Sequence, residues 1–271
     1  MTASPDAIPF QRSIPDAPAI RQVAFDAPWA WLAGGWRDLR SSPGISVTYG
    51  AVFAAAAYLF ILQLSRINAL PLMLPLAGGF MLLGPLLAVG LYEISRRSER
   101  HETTSFRDVA LAVRKSGSQL AYFGVLLLLL YFFWMQVASL LFMFFFGNAD
   151  IPLLENFIPT LLFTPHGLGL LITGTAVGAV FAFVTFGLSA IAAPMLLDRK
   201  VDVVTAVSTS LRAVNQNRPA MILWAALITG LIAIGFIALF AGLAIAFPLI
   251  GHATWHGYRD LTGAAPSSSS L

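Results

Sequence analysis

Apolar blocks long enough to cross a bilayer constrain this chain more than any other feature. The block over about 119–146 holds Leu126 to Leu130 in an unbroken run and carries no charged side chain. A transmembrane helix needs about 20 mostly apolar residues, and several further blocks approach or pass that length. Composition agrees. Of 271 residues, 58% are hydrophobic and only 11% charged, against roughly 25% charged in a soluble chain. So few charges cannot cover an ordinary water-facing surface, and no polar insertion is long enough to fold alone.

The reading is an all-α, polytopic transmembrane helical bundle with interfacial amphipathic helices, of six spans, with five as the alternative. The first four spans fall at about 45–64, 70–95, 119–146 and 168–196. The second contains Pro71, Pro75, Gly78, Gly79, Gly84 and Pro85, which a membrane helix tolerates when its neighbours re-satisfy the backbone, so a kink is expected. Residues 219–258 are almost uniformly apolar. As one helix they would reach about 60 Å, twice the hydrocarbon core of about 30 Å. They split into spans at about 219–239 and 243–259, with a turn near Gly242.

Between the spans lie amphipathic stretches. Trp29, Trp31 and Trp36 alternate with Arg37, Asp38 and Arg40 over 28–40, as expected of a helix in the headgroup layer that ends at Pro43. Phe106, Val109 and Val113 share a face opposite Arg107, Asp108, Arg114 and Lys115, and Val204, Val207 and Leu211 share another. Residues 147–166, with Asp150 and Glu155, read as a loop resting on the surface. Residues 1–27 read as a disordered cytoplasmic tail, 28–262 as the membrane domain, and 263–271 as a disordered C-terminal tail. The first residues show no signal-peptide pattern.

The loop from Arg96 to Lys115 carries six basic residues and that from Arg199 to Arg218 carries four. The opposite loops hold Arg66 alone. The positive-inside rule then puts both amphipathic loops and both termini in the cytoplasm, in a bacterial inner membrane. A weak parallel repeat at an offset of 98 residues pairs Phe106, Val109, Val113 and Arg114 with Val204, Val207, Leu211 and Arg212.

Several motifs carry a family resemblance. They are Trp31-Leu32 with Gly35-Trp36-Arg37-Asp38-Leu39, Tyr49-Gly50, Gly84 to Glu93, Pro194-Met195-Leu196-Leu197-Asp198-Arg199, and Gly251-His252-Ala253-Thr254-Trp255-His256-Gly257-Tyr258-Arg259-Asp260-Leu261. Over about 28–262 the chain resembles the bacterial integral membrane proteins grouped as domain of unknown function 2189. The resemblance implies a multi-span inner-membrane protein and brings no activity or catalytic residue with it.

His252 and His256, four apart, share a helix face and could ligate haem or a metal. An anchor cluster with Trp255, Tyr258 and Arg259 explains them without a ligand, so no cofactor or metal is expected. Glu93 and Asp198 close the second and fourth spans beside Arg96, Arg97, Arg199 and Lys200, and are expected to pair with them. Gln136, the most deeply placed strongly polar side chain, suits an interhelical hydrogen bond or a polar path. Gly174 and Gly178 suggest close helix packing. Arg107, Arg114, Lys115, Arg212 and Arg218 are candidates for anionic lipid headgroups.

No P-loop, Rossmann glycine fingerprint, HExxH or GxSxG occurs, so no enzyme is expected. Basic residues are too few and too near the membrane for nucleic acid. The leading expectation is a non-catalytic protein that binds membrane lipids, other membrane proteins or itself. A transporter or channel for a small or apolar substrate comes second, and a haem- or metal-binding protein third.

Overall fold

The computed structural model describes residues 18–67, 69, 72–115, 117–147, 154–237 and 240–263. The expectations for 1–17, 264–271, Pro71 and Asp150 and for the Val113, Lys115 and Glu155 side chains fall outside them. Among the described residues the secondary structure is helical, with no strand. Five stretches are long and apolar enough to span a membrane: Pro43–Arg66, Pro75–Glu99, Gly117–Phe146, Pro165–Asp198 and Arg218–Phe236. The fold is a polytopic transmembrane bundle.

In chain order the helices are α1 (Ala27–Ser41), α2 (Pro43–Arg66), α3 (Met73–Leu87), α4 (Val89–Glu99), α5 (Phe106–Lys115), α6 (Gly117–Phe146), α7 (Leu154–Phe163), α8 (Pro165–Ser189), α9 (Ala192–Asp198), α10 (Val203–Gln216), α11 (Arg218–Ile237) and α12 (Leu243–Thr262). The interfacial helix expected at 28–40 is α1, and Pro43 begins α2 at a position where its missing N–H costs nothing. The long apolar run 219–258 does divide, into α11 and α12, through a turn where Phe240 takes a positive φ of 66°.

The second and fourth spans are both broken, α3 from α4 and α8 from α9. The first break follows Pro85 and matches the expected kink. The second was not anticipated. Pro194 has no N–H to give the carbonyl four residues earlier, and the chain leaves helical geometry at Ile191. A hydroxyl from another helix closes each gap. Tyr49 of α2 donates to the Leu87 carbonyl at 2.6 Å. Ser210 of α10 donates to the Gly187 carbonyl at 2.8 Å and accepts from the Ile191 N–H at 3.3 Å. The order broken span, interfacial helix, span therefore occurs twice, as α3–α6 and as α8–α11. The second amphipathic helix turns Val204 and Leu211 outward and buries Ala206, Thr209, Ser210 and Ala213.

Two segments depart from the sequence reading. The loop expected at 147–166 contains the helix α7, whose Phe157 and Leu161, four apart, bury one face. Residues 18–26 lie within the stretch read as a tail, yet they are held to the bundle. The Arg21 N–H donates to the Leu261 carbonyl at 2.8 Å, and the Val23 N–H donates to Asn217 Oδ1 at 2.8 Å. Asn217 Nδ2 returns a bond to the Arg21 carbonyl at 3.1 Å.

The centre belongs to α12, which packs on α1, α2, α4, α9 and α11. Its 20 residues rise about 30 Å. Its second half is polar, so it is not among the five apolar spans. That polarity faces inward.

Candidate functional site

Around α12 the molecule has two unlike halves. At one end the C-terminal turns of α4, α9 and α12 converge. Arg259 binds Glu99 at 2.7 Å and approaches Asp198 at 3.7 Å. Close approach comes first. A Cβ on Gly35 would stand 2.6 Å from the Ala253 nitrogen, and one on Gly34 would stand 2.7 Å from the His256 ring. Glycines in α1 let that helix lie directly on the α12 backbone.

The polar side chains then meet their partners across long sequence separations. Fully buried His252 lies between two serine hydroxyls, Ser46 Oγ at 3.0 Å from Nε2 and Ser95 Oγ at 2.8 Å from Nδ1. His256 Nε2 is 2.9 Å from Asp38 Oδ2, and Ser98 donates to Asp38 Oδ1 at 3.3 Å. Burial alone would push the Asp38 carboxyl up. The hydrogen bond from His256 and the nearby histidine charge outweigh it and hold the carboxyl below its ordinary value. Trp31 Nε1 donates to Asp260, Trp255 Nε1 to Glu99, and Tyr258 to Asp198.

The two histidines share a helix but serve different partners. Ser46 and His252 stand at the separation of a nucleophile and its base, but both are sealed from solvent. Among the described residues no three of His, Asp and Glu converge as a metal would require. Glu93 is buried and held by Arg96 at 2.7 Å and Arg97 at 3.0 Å, the pairing expected. Asp198 instead takes Tyr258 and Arg259, while Arg199 donates to the Tyr258 oxygen at 2.9 Å. No spacing marks Ser46, Ser95 or Ser98 as partners, since each lies on another helix.

The other half is a chamber of about 1030 Å³ among α3, α6, α7, α8, α11 and α12. Phe80, Trp134, Phe142, Phe181, Trp224 and Phe247 shape its walls. Among the described residues no charged side chain lines it. Met143 and Phe183 lie on it and are exposed, so it reaches the outer face of the bundle. Its wall follows α8 from Leu170 to Ala190, about 30 Å of helix, and its floor at Tyr92, Gly251 and Thr254 rests on the polar half.

Gly174 and Gly178 line this chamber. A Cβ on Gly174 would meet nothing within 4 Å, and Gly178 faces the Trp134 ring. Gly174 therefore opens space where close helix packing was expected. Gln136 is exposed on the far face of α6, off the chamber wall. It neither lines a path nor bonds another helix among the described residues, and this corrects the expectation. Arg107, Arg114, Arg212 and Arg218 are exposed on α5, α10 and the start of α11, at the polar end.

Residues 72–198 match the model of a family described as a predicted integral membrane protein, DUF2189. The match runs from the start of α3 to the end of α9 and leaves α12 outside. No curated protein and no solved structure matches the chain.

Proposed function

We propose that this chain, with the segment of domain of unknown function 2189 at its centre, is a non-catalytic membrane protein that holds lipid hydrocarbon. The chamber carries this reading. Its volume of about 1030 Å³ is at the top of the usual range for ligand pockets, about 300–1,000 Å³. A void that size forfeits the dispersion contacts of its whole lining. Water is a poor occupant, because each molecule needs two to four polar partners. Ser139, Ser189, Thr229 and Thr254 on or near the wall spend their hydroxyls on their own helices, each donating to the carbonyl four residues back. A hydrocarbon chain satisfies both conditions, and the length of the wall suits the bilayer core of about 30 Å.

In this reading the polar end lies on the cytoplasmic side of a bacterial inner membrane. Arg107, Arg114, Arg212 and Arg218 then face anionic headgroups, and exposed Trp29 and Trp36 sit in the same layer. Lipid analysis of the purified protein tests the reading. Phospholipid is expected to stay bound through extensive detergent washing, and Gly174→Phe, which fills the chamber, is expected to lose most of it. A washed protein free of lipid, or equal retention by the filled variant, sinks it. Reporter fusions to the C-terminus test the orientation, with signal from the cytoplasmic reporter expected.

A further inference from the structure

Thr185 projects from α8 on the chamber wall, near the floor. It is 3% exposed, and its Oγ1 is, among the described residues, the buried side-chain polar atom left without a hydrogen-bond partner. A threonine within a helix ordinarily turns its hydroxyl to the carbonyl four residues back. Thr229 and Thr254 do so around the same chamber, as do Ser139 and Ser189. Ser189 spends its hydroxyl on the carbonyl of Thr185 itself, at 2.7 Å. Thr185 departs from these neighbours, and a hydrogen bond left unmade away from water is costly.

We infer that the chamber's occupant is an amphiphile rather than plain hydrocarbon, and that Thr185, whose Oγ1 is closed to the chamber as it stands, turns about χ1 so that the occupant's hydroxyl or carbonyl oxygen takes up the hydrogen bond it lacks. This rests on the lipid reading above and narrows it to a chemical class. The polar group sits at the floor, beside Ser189 and Thr254, and the chain runs along α8 toward Leu170 and the outer face of the bundle. Placement is the selective element. A buried polar group rejects a ligand that cannot pair with it far more strongly than an apolar wall rejects a change in length.

Two probes of equal chain length separate the possibilities: 1-hexadecanol and hexadecane, each brominated on its chain. Bromine quenches nearby tryptophan, and Trp134 lines the chamber. Titrations of the purified full chain in detergent, read as the difference between wild type and Trp134→Phe, follow occupancy. The alcohol is expected to bind about 3- to 10-fold more tightly than the alkane, the worth of one neutral hydrogen bond. Thr185→Val, which keeps the shape, is expected to erase that preference while leaving alkane binding unchanged. Thr185→Ser is expected to retain it. Equal binding of both probes by wild type overturns the inference and leaves the lipid chamber standing, as does a preference that survives Thr185→Val. Absence of Trp134 quenching by either probe overturns the chamber reading itself.

Discussion

The polar half around His252 and the apolar chamber beside it share α12, and Tyr92 of α4 at the chamber floor, yet they follow opposite rules. In the polar half, glycines bring backbones together until no atom fits between them, and long-range bonds tie α1, α2, α4, α9 and α12 into one unit. In the chamber, glycines leave space. Gly35 and Gly174 make the point with one residue type: a Cβ on the first strikes the α12 backbone at 2.6 Å, while a Cβ on the second meets nothing. A buried polar network is worth building only if it is nearly complete, so it admits no slack. An apolar space tolerates incomplete filling, and on the proposal above lipid fills it.

Substitutions on each side can break or sharpen this contrast. The largest effect is expected from Gly35→Ala, which must push α12 off α1 and should cost about 3 kcal/mol. A thermal melt within a degree of wild type would show that the polar half is looser than its geometry. Next comes Ser210→Ala, which strips a donor and an acceptor from the break between α8 and α9. About 2 kcal/mol is expected, read as a lower melting temperature and faster amide exchange at Ile191.

Asp38→Asn should cost about 1.5 kcal/mol at neutral pH, with a pH signature. The folded carboxyl lies below its ordinary value, so its stabilisation is present above the unfolded value of about 3.9 and fades as pH falls through the folded one. Melting curves of wild type and variant should therefore converge below about pH 4 and stay apart above it. A constant gap across that range would remove the ionised carboxylate from the account. The smallest effect carries the opposite sign. Gly174→Ala meets no neighbour and stiffens a helix, so a gain of about 0.5–1 kcal/mol is expected, and destabilisation would mean that the chamber is tighter than its walls suggest.

The sequence made the spans legible because each is a property of a contiguous run. The placement of α1, α5 and α10 and the division of 219–258 follow from the same local signals, and Pro85 marks its own kink. Which way a span faces is a different matter. In a soluble helix polar residues mark the outside. Here Phe144 is 80% exposed and Phe123 fully buried on one helix, α6, and no pattern of polarity separates them. That is why Gln136 was given an inward role and Gly174 a helix contact. The candidate site was half visible. Glu93, Asp198, His252 and His256 stand out for their chemistry, and Glu93 pairs within α4 at the spacing the sequence shows. The partners of the other three, and of Asp38, lie on other helices, and pairing between helices leaves no spacing to read. The chamber is an absence of atoms, and a sequence has no symbol for it.

The position of α12 bears on how the molecule is made. Synthesis delivers the chain from the N-terminus, so α12 comes after the other described helices, among them the five that pack on it. Until it arrives, Asp38 lacks His256, Ser46 and Ser95 lack His252, Trp31 lacks Asp260, and Arg21 has no Leu261 carbonyl to bond. The early helices must wait in the bilayer, inserted but not assembled. Assembly is then a closing event triggered from the far end of the chain, and a ribosome that stops short of Leu243 leaves every long-range bond to α12 unmade.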